Sequence, residues 1–305
     1  VAPFGFGGNV FGWTADEKTS FVLLDRFVEC GFNLIDTADM YSNWVPGHLG
    51  GESEELIGRW LKKSGKREQV VIATKVGMEM KYGGRGLSRS HIESSVESSL
   101  RRLQIDCIDL YQSHCDDLEV PMVETLETFG RLIKAGKVRA IGCSNFSAER
   151  FAAALAVSAK AGIPRYETIQ PRYNLCDRKE FESELQGLCV REEIGVINYY
   201  SLAAGFLTGK YRSGADLKNS PRGQGSAGRY FKSAFPLLSS LDSLAREISA
   251  TPTQIAIAWL NSRAAISAPL ASATNVNQLD EIIAGAKLTL ADEHLRELDL
   301  ASAAF

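Results

Sequence analysis

The 305-residue sequence predicts an α/β fold: one (β/α)8 (TIM) barrel spanning residues 1–305, with long loops at the C-terminal face and additional C-terminal helices. Apolar strand-like runs alternate with amphipathic helical stretches eight times. Each run is continuously apolar, as expected of parallel strands covered on both faces. Eight such units in about 300 residues fit a closed barrel better than an open doubly wound sheet.

FGFGG near the start is the first expected strand, leading into a loop with Trp13. Thr14 and Glu17 form a capping-box pattern before a helix over Lys18–Cys30, which Gly31 stops. Strand two is NLID, and a polar loop then leads to the helix Ser53–Lys63. VVIATK follows, then a glycine-rich loop and a long helix from about Arg89 to Leu103. CIDLYQSH is strand four, and Pro121 suits the first turn of the helix Met122–Ala135. VRAIGCSN, the helix Ala148–Ala161, ETIQ, the helix Lys179–Glu193 and GVINYY come next. Ser201–Pro236 reads as the longest irregular stretch, of a length usual for functional lids or disordered segments. Helical patterns at Leu237–Ile248 and Gln254–Arg263 precede ISAPLAS, and two helices, about Val276–Ala286 and Ala291–Ala301, end the pattern.

A net charge of -3 disfavours nucleic acid as the main partner. No apolar run approaches the roughly 18 residues of a membrane span. Six cysteines without a C-x-x-C pair suit reduced thiols in the cytoplasm, and no signal-peptide pattern stands before the opening VAPFGFGG. The four histidines are scattered and form no metal constellation. GQGSAG at 223–228 satisfies G-x-G-x-x-G but follows no strand, so it is read as loop.

The chemistry lies at strand ends, which in a parallel barrel share one face. Asp36, Lys75 and His114 stand at or within a residue of the ends of three successive strands, and Tyr41 lies just beyond the first of them. A phenol with a pKa near 10 is a weak acid at neutral pH. A neighbouring Lys75 ammonium is expected to lower that value, with Asp36 keeping Lys75 charged and aimed. His114 is placed to hydrogen-bond a substrate carbonyl oxygen. Each residue alone has a bland reading as a cap, a solvated charge or a structural histidine. The four together point to proton donation to a carbonyl.

With these motifs in view, DTADMY, GESEELIGRWL, the Thr-Lys of Lys75, YQSH, GCSNF, TIQ, YYSLAAGFLTGKY and SATNVNQLDE, the sequence resembles the aldo-keto reductases over nearly its whole length. The resemblance implies a barrel binding NADP(H) across its mouth, and a tetrad of Asp36, Tyr41, Lys75 and His114 with Tyr41 as the acid. It implies hydride transfer from nicotinamide to a small-molecule aldehyde or ketone, with hydroxylated or sugar-like carbonyls among the candidates.

Carried over by position, Ser144, Asn145 and Gln170 would hold the nicotinamide carboxamide. Tyr199 or Tyr200 would stack on its ring; an ungapped match favours Tyr199, with Tyr200, Ser201 and Leu202 as backbone donors to the pyrophosphate. Lys210 and Arg222 would meet the phosphates, Thr274 and Gln278 the adenosine, and Glu281 its amino group. The departures are Ser272 for a common glycine, Ile282 for a common asparagine, Gly8-Asn9 for Thr-Trp, and Gln278 where some members carry an arginine for the 2′-phosphate. The last leaves NAD(H) open beside NADP(H). Trp13, Trp44, His48 and Tyr82 are candidate pocket walls. The resemblance also allows a nucleotide-sensing subunit like the potassium channel β-subunits, and glycine-rich loops would suit a barrel enzyme for phosphorylated substrates. Oligomeric state is not encoded in any motif.

Overall fold

The computed structural model describes residues 1–81, 83–218 and 223–305. Its strands are β1 Gly5–Gly7, β2 Leu34–Asp36, β3 Val71–Val76, β4 Ile108–Ser113, β5 Val138–Ser144, β6 Thr168–Gln170, β7 Gly195–Val196 and β8 Leu270–Ala271. They pair in parallel in the order β7-β6-β5-β4-β3-β2-β1-β8. The remaining seam closes through a parallel bridge between Val196 and Ile266, with Ser267 N donating to Val196 O at 2.8 Å and Leu270 N to Asn198 O at 2.9 Å. The result is the expected (β/α)8 barrel.

Outside it lie α1 Glu17–Glu29, α2 Glu52–Ser64, α3 Arg89–Leu103, α4 Met122–Lys134 and α5 Ala148–Ala161. A single π turn, Phe181–Leu185, leads into α6 Gln186–Arg191. Then come α7 Gly214–Lys218, α8 Gly228–Ser233, α9 Phe235–Glu247, α10 Pro252–Asn261, α11 Val276–Lys287 and α12 Asp292–Ala301. Two local expectations fail. The N-cap of α1 is Asp16, whose side chain accepts from the Thr19 amide, and not Thr14; an Asp directly before the helix outcompetes a more distant Thr. Pro121 is the N-cap of α4 and not a first-turn residue. A complete capping box is formed by Thr251 and Gln254, opening α10.

The stretch 201–236 is also less irregular than expected. Its described part is built of short helical turns: the 3-10 segment Ala203–Thr208, then α7, then a π turn at Gly223–Ala227 running into α8. GQGSAG therefore does lead into a helix, but no strand among the described residues leads into it.

The barrel interior is layered. Leu34, Ala73, Leu110, Ile197, Ala268 and Leu270 form a small buried apolar cluster of their own at its base. Because side chains alternate along a strand, the residues two further on share that inward direction: Asp36, Lys75 and Gln112. The interior thus passes from an apolar floor to a polar layer within two residues of each strand. Room for this layer is made on β5 by Gly142, where an added Cβ would lie 2.2 Å from Thr168 Oγ1 and 3.3 Å from Gln112 Cγ.

Candidate active site

At the C-terminal end of β3 the Lys75 ammonium is fully buried. It donates to Asp36 Oδ2 at 2.7 Å, to the Thr37 carbonyl at 2.7 Å and to the Tyr41 hydroxyl at 3.2 Å. Asp36 is braced from the other side, its Oδ1 accepting from Gln170 Nε2 at 2.9 Å and Gln112 Nε2 at 3.4 Å. His114 follows β4, anchored by its amide on the Val76 carbonyl at 2.8 Å. Its ring meets that of Tyr41 edge-on with centroids 5.9 Å apart. The four strand-end residues therefore converge.

The electrostatics differ from expectation at one point. The Tyr41 hydroxyl is pushed above its usual pKa, because burial outweighs the pull of Lys75, and Asp36 adds to the rise. The ammonium does pull the phenol down, but burial outweighs it, so the expected net acidification does not occur. Burial also opposes charge on Lys75, but Asp36 and Tyr41 together raise it above its ordinary value. Burial, then Lys75, hold His114 well below the usual imidazole value. At neutral pH the site thus contains a phenol that keeps its proton, a charged lysine and a neutral imidazole. The imidazole Nδ1 is buried without a partner among the described residues.

Beside this cluster, Asn145 has a left-handed backbone at φ 58°. It donates from Nδ2 to the His114 carbonyl at 2.8 Å and to Ser144 Oγ at 3.1 Å, and accepts from the Tyr199 hydroxyl at 2.8 Å. Ser144 Oγ donates to the Gln170 carbonyl at 2.8 Å. Ser144, Asn145, Gln170 and Tyr199 thus form one connected group at the barrel mouth. Next along the chain, Tyr200, Ala203, Ala204 and Gly205 all have positive φ. Such turns aim successive amides into a concave anion-binding nest. Among the described residues the Tyr200, Ser201 and Leu202 amides donate to no protein acceptor. A Cβ on Gly205 would lie 2.9 Å from Lys210 Nζ, so the ammonium packs directly on this turn. The donor set fits an anionic, pyrophosphate-like group.

Residues 3–303 match the profile of the Aldo/keto reductase family. The chain belongs to the aldo/keto reductase family. It is 36% identical to Aldo-keto reductase YhdN of Bacillus subtilis, over 98% of this chain and 88% of that protein. It is 31% identical to Aldo-keto reductase yakc [NADP(+)] of Schizosaccharomyces pombe, over 98% and 87%. It is also 31% identical to a probable voltage-gated potassium channel subunit beta of Arabidopsis thaliana, over 92% and 86%. As an aldo/keto reductase the chain is an oxidoreductase, of a family that generally uses NADP(H) on small carbonyl compounds. None of its described helices is long and apolar enough to cross a membrane.

The more distant positions are placed unevenly. Thr274 gives both its amide and its hydroxyl to Gln278 Oε1, at 2.9 and 3.1 Å, over the N-terminus of α11, with Glu281 one turn on. Ile282 faces the core, 2% exposed, so it makes no outward contact. Arg222 and Tyr82 lie outside the described residues. Trp13 and Trp44 meet edge-on at 5.8 Å, and Trp44 meets Tyr41 at 5.8 Å, a run of aromatic rings leading outward from the phenol. His48 is tied in through its carbonyl, which accepts from Lys81 Nζ at 2.8 Å.

The sequence reading missed Gln112, which shares the inward spacing of Leu110 and His114 on β4 and so was available from alternation alone. It missed Arg229, whose guanidinium lies 5.6 Å from the Tyr200 ring centroid; as one of three arginines, with Arg212 and Arg222, in that stretch it carried no signal of its own. It also treated two departures as separate that are one feature. Ser272 Oγ lies 2.6 Å from Asn9 Oδ1 and 2.7 Å from the Gly7 carbonyl, stitching the loop after β1 to the loop after β8.

Proposed function

We propose that this aldo/keto reductase reduces a small aldehyde or ketone with NADPH, and that Tyr41 gives the proton. The bound nicotinamide supplies the hydride. The observation that carries the reading is the Lys75 ammonium fixed between Asp36 and the Tyr41 hydroxyl while that hydroxyl keeps its proton. When negative charge develops on a carbonyl oxygen, the phenol releases its proton toward it and Lys75, 3.2 Å away, stabilises the phenolate left behind. His114 serves as a neutral hydrogen-bonding partner that fixes the oxygen. Ser144, Asn145 and Gln170 would meet the carboxamide; because Gln170 Nε2 is given to Asp36, its amide oxygen is the group left for that contact. Tyr199 would flank the ring, the amides of Tyr200, Ser201 and Leu202 with Lys210 would take the pyrophosphate, and Thr274, Gln278 and Glu281 the adenosine end. The whole chain acts as one domain in this reading, in the cytoplasm.

Tyr41→Phe is expected to lower kcat by at least about 100-fold while NADPH affinity, followed by protein fluorescence, changes little. Turnover equal to wild type would remove Tyr41 from the chemistry. The likeness to a potassium channel subunit beta supports a second reading, a nucleotide sensor with the same site. Tight NADPH binding with no turnover across a panel of aldehydes and ketones would favour it.

A further inference from the structure

Asp39 is fully buried, and neither of its carboxylate oxygens has a hydrogen-bond partner among the described residues. It lies on the segment joining β2 to Tyr41, and its amide donates to the Lys75 carbonyl at 3.2 Å. The side chain is faced by Glu54 from α2, Arg102 from α3 and Lys75 from β3, with the Met40 amide on its own segment. Tyr111 on β4 and Cys115 just after it also feel its charge.

Both cations nearby are already engaged. Lys75 is held by Asp36 at 2.7 Å, and Arg102 Nε by Glu54 Oε2 at 2.7 Å. Glu54 Oε1 accepts from Thr74 Oγ1 at 2.5 Å, so this buried acid ties α2 and α3 to the residue preceding Lys75. Three buried carboxylates thus share two cations, and Asp39 forms no ion pair of its own; Arg102, the Met40 amide and Lys75 only partly offset its burial. A carboxylate so placed avoids a large desolvation cost by keeping its proton.

We propose that Asp39 is a positioning residue held as the neutral acid, and that losing its proton to solvent, beside Glu54, pushes the Tyr41 segment away from the end of β3. Burial, reinforced by Glu54, lifts its pKa to about 8, with Arg102, Met40 and Lys75 opposing the rise. The activity arm of the test rests on the reductase reading above; the stability and infrared arms do not.

The full chain and Asp39→Asn, which imitates the neutral acid, are compared across pH. A pKa raised on folding contributes stability below the unfolded value near 3.8 and loses it as pH rises through about 8. Wild type should lose denaturant resistance over that window, and Asp39→Asn should lack that slope. In aldehyde reduction, wild-type kcat should fall about tenfold per pH unit above the transition, with KM little changed, while Asp39→Asn carries its turnover to higher pH. The same alkaline limb and stability slope in both proteins would overturn the proposal. So would a folded Asp39→Asn inactive at every pH. Should Asp39→Asn not fold, wild type alone decides: an infrared band of a protonated carboxyl must be present at neutral pH and vanish on alkaline titration, and its absence sinks the idea. Wild type without any carbonyl turnover would refute the reductase reading and leave the other two arms to judge Asp39.

Discussion

Two charged side chains, Lys75 and Asp36, are buried at the centre of this molecule, and their worth depends on both being present. Each was removed from water at a cost that the 2.7 Å contact and the surrounding hydrogen bonds offset. Asp36→Asn leaves the ammonium without its counter-charge. Stability measured by denaturant unfolding should fall by about 3–5 kcal/mol, and turnover should fall with it. His114 gives a pH prediction of opposite sign to that of Asp39. Its folded pKa lies well below the ordinary 6.5, so its contribution to stability is complete above that value and is lost as pH falls toward the folded one. Unfolding of wild type and His114→Gln between about pH 7 and pH 5 checks this: the wild type alone should lose stability from this source on acidification. An equal slope in both would mean that the imidazole takes up its proton in the fold as readily as in the unfolded chain.

At the scale of elements, the strand ends were legible because buried parallel strands write themselves as apolar runs broken by a single polar residue. The helices α3 and α5 have the bounds the sequence predicts, 89–103 and 148–161. What local pattern did not carry was partnership between distant segments. Gln112 and Gln170 brace Asp36 from strands 76 and 134 residues away, and the Ser272–Asn9 contact spans 263. The acidifying pull assigned to Lys75 is present but outweighed: proximity was legible, and the depth of burial around Tyr41 was not. In the turn after Leu202, Gly205 has φ 90° and leaves no space beside Lys210. Gly205→Ala combines a left-handed strain of about 1 kcal/mol with displacement of that ammonium. NADPH affinity should drop by roughly fivefold or more while Tyr41 chemistry at saturation is spared; unchanged affinity would take this turn out of the phosphate site.

Across the whole molecule the barrel is unevenly secured. β3 through β5 pair over many residues, whereas β7 and β8 have two residues each and the seam between them rests on the contacts of Val196, Ser267 and Leu270. Fewer ladder bonds mean a lower opening free energy. Amide exchange should therefore be faster at 196–198 and 266–271 than in β3–β5, and uniform protection around the ring would contradict this.

The apolar floor described above has a consequence for traffic. With Leu34, Ala73, Leu110, Ile197, Ala268 and Leu270 filling one end, the cluster around Tyr41 rests on the buried polar layer of Asp36, Lys75 and Gln112, with apolar packing beneath that layer. On the reductase reading, the proton that recharges the phenol and the departing alcohol would both pass on the side of the site away from that floor.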